Sequence, residues 1–153
     1  MKYLLLPLIA ALALPVQVSA NNVDDLLKCN FILKENCIKE ETYNNGKYVG
    51  RFNKEGERHG QGTYYWNNGN KYVGPFLNGK RTGQGTFYWA NGDKYVGQFL
   101  NGKRTGQGTY DWADGAKYVG QFLNSSMHGQ GTMSWTNGDF YSGDWTYGKR
   151  TGQ

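Results

Sequence analysis

The chain repeats a 23-residue unit. From Tyr72 it reads YVGPFLNGKRTGQGTFYWANGDK, from Tyr95 YVGQFLNGKRTGQGTYDWADGAK and from Tyr118 YVGQFLNSSMHGQGTMSWTNGDF. A 24-residue version begins at Tyr48, and a partial copy runs from Tyr141 to Gln153. A fixed period of this size marks a stacked array, in which each unit buries its apolar face against its neighbours. Function in such an array is sought in a surface that the repeat multiplies rather than in a single cleft.

Each unit reads as two short strands. Tyr95, Gly97 and Phe99 alternate with Val96 and Gln98, and Gly108, Tyr110 and Trp112 alternate with Thr109 and Asp111. Period-two alternation of aromatic and β-branched residues argues strand, and glycine every few residues would penalise a helix. The fold class is all-β. Within a repeat, Leu100 to Gln107 is expected to be a long loop holding Asn101-Gly102. Between repeats the links are Ala90-Asn91-Gly92, Ala113-Asp114-Gly115 and Thr136-Asn137-Gly138.

Face parity chooses the turn between repeats. A two-residue type I′ turn at Asn91-Gly92 would set Tyr88 opposite Tyr95 and scatter the aromatics between faces. A three-residue loop, ending in a left-handed glycine, sets Phe87 opposite Tyr95 and Gly85 opposite Gly97. The recurrent aromatics then share one face: Tyr72, Phe76, Phe87 and Trp89, then Tyr95, Phe99, Tyr110 and Trp112, then Tyr118, Phe122 and Trp135. We read this face as core; a stacking platform for sugars or bases is the competing reading. Its burial contributes about 2 kcal/mol per aromatic, too little for one unit against the entropy of ordering it. The extra residue of the first copy falls in the segment Asn53–Gln61.

The N-terminal third differs. All 23 glycines lie from Gly46 onward. Lys2, the apolar stretch Leu4–Pro15 and Val18-Ser19-Ala20 predict a signal peptide over residues 1–20, cut after Ala20. That stretch is too short to span a bilayer. The chain is therefore expected to be exported, to a periplasm or the outside. Residues 21–46 read as a partly helical cap. Val23, Leu26, Leu27, Phe31, Ile32, Leu33 and Ile38 give it an apolar side, and Asn22 precedes Asp24 and Asp25 as a helix cap. In an exported chain Cys29 and Cys37 suggest a disulfide. On one straight helix they would lie about 12 Å apart, too far to bridge, so pairing requires a bend. Two free thiols are the alternative.

No catalytic constellation is evident. His59 and His128 occupy equivalent positions without a nearby Cys or carboxylate partner. Gly106-Gln107-Gly108 and its copies lack the Lys-Ser/Thr and the helix of a phosphate loop. The sequence gives no metal set, no nucleophile motif and no cofactor signature, and the chain is read as a non-enzyme. Charge does recur. Residues 47–153 carry 13 basic and 7 acidic side chains. Lys80-Arg81, Lys103-Arg104 and Lys149-Arg150 recur in the expected loop, with Arg58-His59 in the first copy and Ser125-Ser126-Met127-His128 breaking the row in the fourth. Lys71, Lys94 and Lys117 form a second row. These charges are either ordinary solubility charge or an anionic-surface contact.

Tyr95-Val96-Gly97-Gln98-Phe99, Asn101-Gly102-Lys103-Arg104 and Gly106-Gln107-Gly108-Thr109-Tyr110 resemble the MORN repeat, position by position, and the likeness covers residues 48–153. The repeats fall near 48–71, 72–94, 95–117, 118–140 and, in part, 141–153, within a domain 47–153. The resemblance implies an elongated single antiparallel sheet of stacked hairpins. MORN arrays occur beside lipid-kinase and methyltransferase domains, in junctional membrane proteins and as cytoskeletal scaffolds, so the resemblance implies little about the partner. The expected partner is a protein, or a second copy of the chain, held by the sheet or its open edge. The alternative is an anionic membrane or envelope polymer bound through the Lys-Arg positions. Export disfavours nucleic acid. The last strand is expected near Tyr141–Thr146.

Overall fold

A computed structural model describes residues 38–152. The expected signal segment, the Cys29 and Cys37 pair and the helical part of the cap lie outside the described residues. What is described is all-β. It opens with β1 (Ile38–Tyr43), β2 (Gly46–Phe52) and β3 (Arg58–Trp66). Repeat two gives β4 (Lys71–Leu77), the two-residue β5 (Lys80–Arg81) and β6 (Gly83–Tyr88). Then come β7 (Lys94–Leu100), β8 (Lys103–Asp111), β9 (Lys117–Leu123), β10 (Ser126–Ser134), β11 (Phe140–Thr146) and β12 (Lys149–Arg150). All belong to one 12-stranded antiparallel sheet in which spatial order follows chain order, β5 pairing only with β4. The end of the expected cap is thus a strand, paired to β2 with Thr42 across from Lys47. Beyond β11, Lys149–Arg150 add a further short strand.

The register between repeats follows the three-residue loop. Phe87 faces Tyr95 and Gly85 faces Gly97. Trp89 N donates to Asp93 O and Gly92 N to Trp89 O, and Gly92 takes a φ of 97°. Asn91 tightens this turn by accepting the amide of Asp93 on its side-chain oxygen.

The turn inside each repeat departs from expectation. There is no long loop from Leu100 to Gln107. Leu100 pairs with Lys103, and Asn101 and Gly102 have φ of 50° and 82°. This is the two-residue type I′ turn that Asn-Gly favours, whose twist matches that of the flanking strands. The residues left over are absorbed by a bulge: Gly97 faces Gly108 while Gln98 already faces Thr105. Gly106, at φ 56°, makes that bulge. Lys103 and Arg104 therefore sit in a strand, and this placement decides what each of them does. In the first copy the extra residue widens the turn to Lys54–Gly56, closed by Asn53 and Glu57.

One face of the sheet carries nearly all the buried apolar surface. A row crosses it strand by strand through Tyr48, Tyr64, Tyr72, Phe87, Tyr95, Tyr110, Tyr118, Met133 and Tyr141. Tyr48, Tyr72, Tyr95 and Tyr118 are fully buried in a single layer, with no second sheet over them among the described residues. Glycine makes that burial possible. The Tyr95 ring lies over Gly97 on its own strand and Gly108 on the next, so close that a Cβ on Gly108 would stand 2.5 Å from the phenol oxygen. That oxygen donates to the carbonyl of Gln98, 3.1 Å away. Phe99 from the same repeat and Phe122 from the next meet Tyr95 edge-on, at 5.3 and 5.0 Å, the geometry ring quadrupoles favour. Each phenylalanine thus completes the cage of the preceding repeat's tyrosine, and the core is continuous along the array.

Candidate functional site: an arginine ladder and a lysine face

Neighbouring residues in a strand point to opposite faces, so the Lys-Arg pair is divided between the two sides of the sheet. Arg81 lies across from Phe76, Arg104 from Phe99 and Arg150 from Trp145, all on the aromatic side. Lys80 lies across from Leu77, Lys103 from Leu100 and Lys149 from Thr146, on the other.

The arginines join one repeat to the next. The Arg81 guanidinium sits 5.1 Å from the Phe87 ring, 5.4 Å from Phe99, 5.6 Å from Tyr72 and 5.7 Å from Trp66. Its Nη2 donates to the carbonyl of Gly102, in the turn of the following repeat, at 2.7 Å. Arg104 repeats the arrangement among Trp89, Tyr95, Tyr110 and Phe122 and donates to Ser125 O at 2.8 Å. Arg58 does so in the first repeat with Gly79 O at 2.9 Å. Planar, weakly hydrated guanidinium suits such stacking, where a lysine ammonium would not. Burial pushes the Arg81 and Arg104 guanidiniums down from their ordinary value, opposed by Tyr72 in one case and Tyr110 and Tyr95 in the other. In repeat four Met127 holds the arginine position and packs against the core as a neutral substitute. Arg150 reaches Trp135 and Tyr141 at 5.4 and 5.6 Å but is exposed.

Beside the arginines the aromatic side opens into shallow hollows. One, of about 190 Å³, is lined by Arg81, Phe87, Trp89, Phe99, Gly102, Arg104 and Ser125. Its neighbour, of about 240 Å³, is lined by Arg104, Tyr110, Trp112, Phe122, Ser125, Ser126, Met127 and Gly148. Trp89, Trp112 and Trp135 are half-buried, while Tyr72, Phe76, Phe87, Tyr95, Phe99, Tyr118 and Phe122 are buried.

The lysines occupy the opposite, exposed face. Lys80, Lys103 and Lys149 stand near one end of the strands, the first two across from exposed Leu77 and Leu100. The second lysine row is longer than the sequence reading has it. Register runs through Thr42, Lys47, Tyr65, Lys71, Tyr88, Lys94, Asp111, Lys117, Ser134 and Phe140. Beside it a Val-Thr ladder alternates through Val49, Thr63, Val73, Thr86, Val96, Thr109, Val119 and Thr132. Lys47, Tyr65, Tyr88 and the ladder went unnoticed as surface features. Their signal was present: they sit at odd offsets from the buried tyrosines, so period two sends them outward.

Asp111 accepts from Lys94 at 3.0 Å and from Lys117 at 3.2 Å. Burial alone would raise its pKa, but these two ammoniums hold the carboxyl below its usual range. His59 and His128 keep their Nδ1 atoms buried without a hydrogen-bond partner. Among the described residues no His, Cys, Asp and Glu group is arranged to hold a metal ion, and no helix is long and apolar enough to cross a membrane.

The MORN repeat model matches the chain at residues 48–71, 72–94, 95–117, 118–140 and 141–153. Curated proteins give no match.

Proposed function

The chain belongs to the MORN repeat family, and we propose that it is an exported, non-enzymatic scaffold that binds a protein, or its own second copy, along the aromatic side of the sheet. The hollows beside Arg81 and Arg104 carry this reading. They present half-buried tryptophan, tyrosine and arginine, the side chains that dominate protein-interface energetics, and they occur at two successive repeat joints. A photocrosslinking residue at Trp112 is expected to give a discrete protein adduct in the native host, and the same residue at Val96, on the opposite face, none. Adducts from Val96 alone would overturn the assignment of the face. Sedimentation velocity over a range of concentrations separates self-association from a foreign partner. Export predicts a mature protein beginning at Asn21, which N-terminal sequencing reads.

A second reading has its own observation. Lys80 and Lys103 stand on the exposed face across from Leu77 and Leu100, with Lys149 across from Thr146, an arrangement suited to peripheral contact with anionic membrane. Replacing these lysines by alanine is expected to abolish flotation with anionic liposomes at low salt. Flotation that persists removes this reading. The arginines contribute little to it, because their guanidiniums are turned to the other side.

A further inference from the structure

The geometry points to a linear binding track for an extended acidic polysaccharide, a β-linked uronan laid across the strands over Lys47, Tyr65, Lys71, Tyr88 and Lys94. The proposal rests on the reading that the exposed face takes anions, and it names the anion. Cation and aromatic alternate on successive strands along this row. Successive lysines are two strand spacings apart, about 10 Å, and an extended β-linked uronan presents a carboxylate on the same side once every two sugars. The row is also open. Tyr65 and Tyr88 are 44% and 37% exposed.

The existing pairings leave Lys47 and Lys71 available, and Lys94 shares its one carboxylate partner, Asp111, with Lys117. Lys71 Nζ lies 4.2 Å above the Tyr88 ring and Lys47 Nζ 5.8 Å from Tyr65. Lys47 also meets Glu40 at 3.2 Å, with both side chains about half exposed; such surface pairs are weak and exchange readily for another carboxylate. Beside the row, Thr63 and Thr86 supply hydroxyls at the same repeat spacing for the polar edges of the sugars, and the phenols supply an apolar flank and a hydroxyl. The track ends where Asp111 replaces the tyrosine and takes both Lys94 and Lys117. A carboxylate there would repel a uronan, so the track extends from Lys47 to Lys94, two disaccharide intervals that set the three lysines against the first, third and fifth sugars. A lipid headgroup layer has no need of a straight row with aromatic side chains at alternate steps, and for that reason we place the glycan ahead of a membrane on these residues.

Titration calorimetry with mannuronate di-, tetra-, hexa- and octasaccharides tests the track. Affinity is expected to rise about tenfold or more from the disaccharide to the tetrasaccharide and again to the hexasaccharide, because the second and third lysine contacts are made intramolecularly, with no further gain at the octasaccharide. Lys47→Gln, Lys71→Gln and Lys94→Gln are each expected to weaken binding about fivefold, and the Lys→Arg variants to retain it. Lys80→Gln with Lys103→Gln, at the other end of the strands, is expected to leave it unchanged. Equal binding of a neutral mannan, or an equal loss in the Lys80 and Lys103 variant, overturns the proposal. So does single-stranded oligodeoxynucleotide bound as tightly as the uronan. If phosphatidylglycerol vesicles depend on Lys47, Lys71 and Lys94 while the uronan does not bind, the anion-binding face stands and the glycan falls.

Discussion

The guanidinium of Arg104 donates to the carbonyl of Ser125, 2.8 Å away and 21 residues further along the chain. The contact ties the stacked aromatics of one repeat to the turn of the next. Arg104→Ala removes a desolvated cation–π contact and a charged hydrogen bond to a part-buried carbonyl, each worth about 2 kcal/mol. Because the two losses overlap, an overall cost of about 2–3 kcal/mol in urea unfolding is expected. Arg104→Met should cost less, since Met127 already fills the equivalent position in repeat four. Arg104→Lys should fall on the alanine side, because an ammonium cannot stack among four rings.

At the opposite end of the strands the carboxylate of Asp93 performs a similar service. It accepts the Tyr110 hydroxyl at 2.8 Å and the Ala113 amide at 2.9 Å, both in the following repeat. Asn70 accepts from Ala90 N at 2.9 Å in the copy before. Asp93→Asn is therefore expected to change thermal stability little at neutral pH, whereas Asp93→Ala should cost about 1–2 kcal/mol by leaving the two donors unmet. Burial would raise the Asp93 pKa, but the Ala113 amide, the Tyr110 hydroxyl and Asn91 together hold it down. A depressed folded pKa stabilises above the unfolded value of about 4. The difference between wild type and Asp93→Ala should thus be full at neutral pH and shrink as pH falls through the folded pKa.

The strands and the register across Ala90-Asn91-Gly92 were legible because side-chain alternation leaves a single register that keeps Phe87 and Tyr95 together. The turn at Asn101-Gly102 was misread for a physical reason. Counting from Leu100 to Gln107 finds too many residues for a tight hairpin, and sequence gives no warning that Gly106 takes a left-handed φ and stores the excess as a bulge. With the bulge unseen, Lys103 and Arg104 fell together into a loop as one basic feature. Placed in a strand they separate, Arg104 to the aromatic cage and Lys103 to the exposed face. Arginine's role in the cage depends on a turn one repeat away, which no local pattern encodes.

Glycine at position 108 is required by space rather than by backbone angle. A Cβ there would stand 2.5 Å from the Tyr95 phenol oxygen, inside a single-layer core with no room to shift. Gly138 is the reverse case: nothing lies within 4 Å of its Cβ position, but its φ is 90°. Gly108→Ala is expected to cost about 3 kcal/mol through overpacking, and Gly138→Ala about 1 kcal/mol through the left-handed backbone. Equal losses in denaturant midpoint would refute the account of tyrosine lying flat on glycine. Gly108→Ala with Tyr95→Leu should recover part of the loss, since the ring that collides is gone.

The buried phenols set a limit at alkaline pH. Burial pushes Tyr48, Tyr95, Tyr110 and Tyr118 up to about 12, with the hydrogen bond to Asp93 adding to the rise at Tyr110, and raises Tyr72 further. Unfolded tyrosine ionises near pH 10. A folded pKa above the unfolded one gives stability that is whole below about pH 10 and lost as pH rises towards the folded value. With several such groups along one array, the urea midpoint is expected to be flat from neutrality to about pH 9 and then to fall steeply. Phenolate absorbance should appear with unfolding rather than before it for these residues. Tyr95→Phe removes one titrating group and should shift the onset of alkaline unfolding upward, at a cost of about 1 kcal/mol at neutral pH for the lost bond to Gln98. An onset that moves down in this variant would show that the hydroxyl's hydrogen bond outweighs its ionisation at every pH.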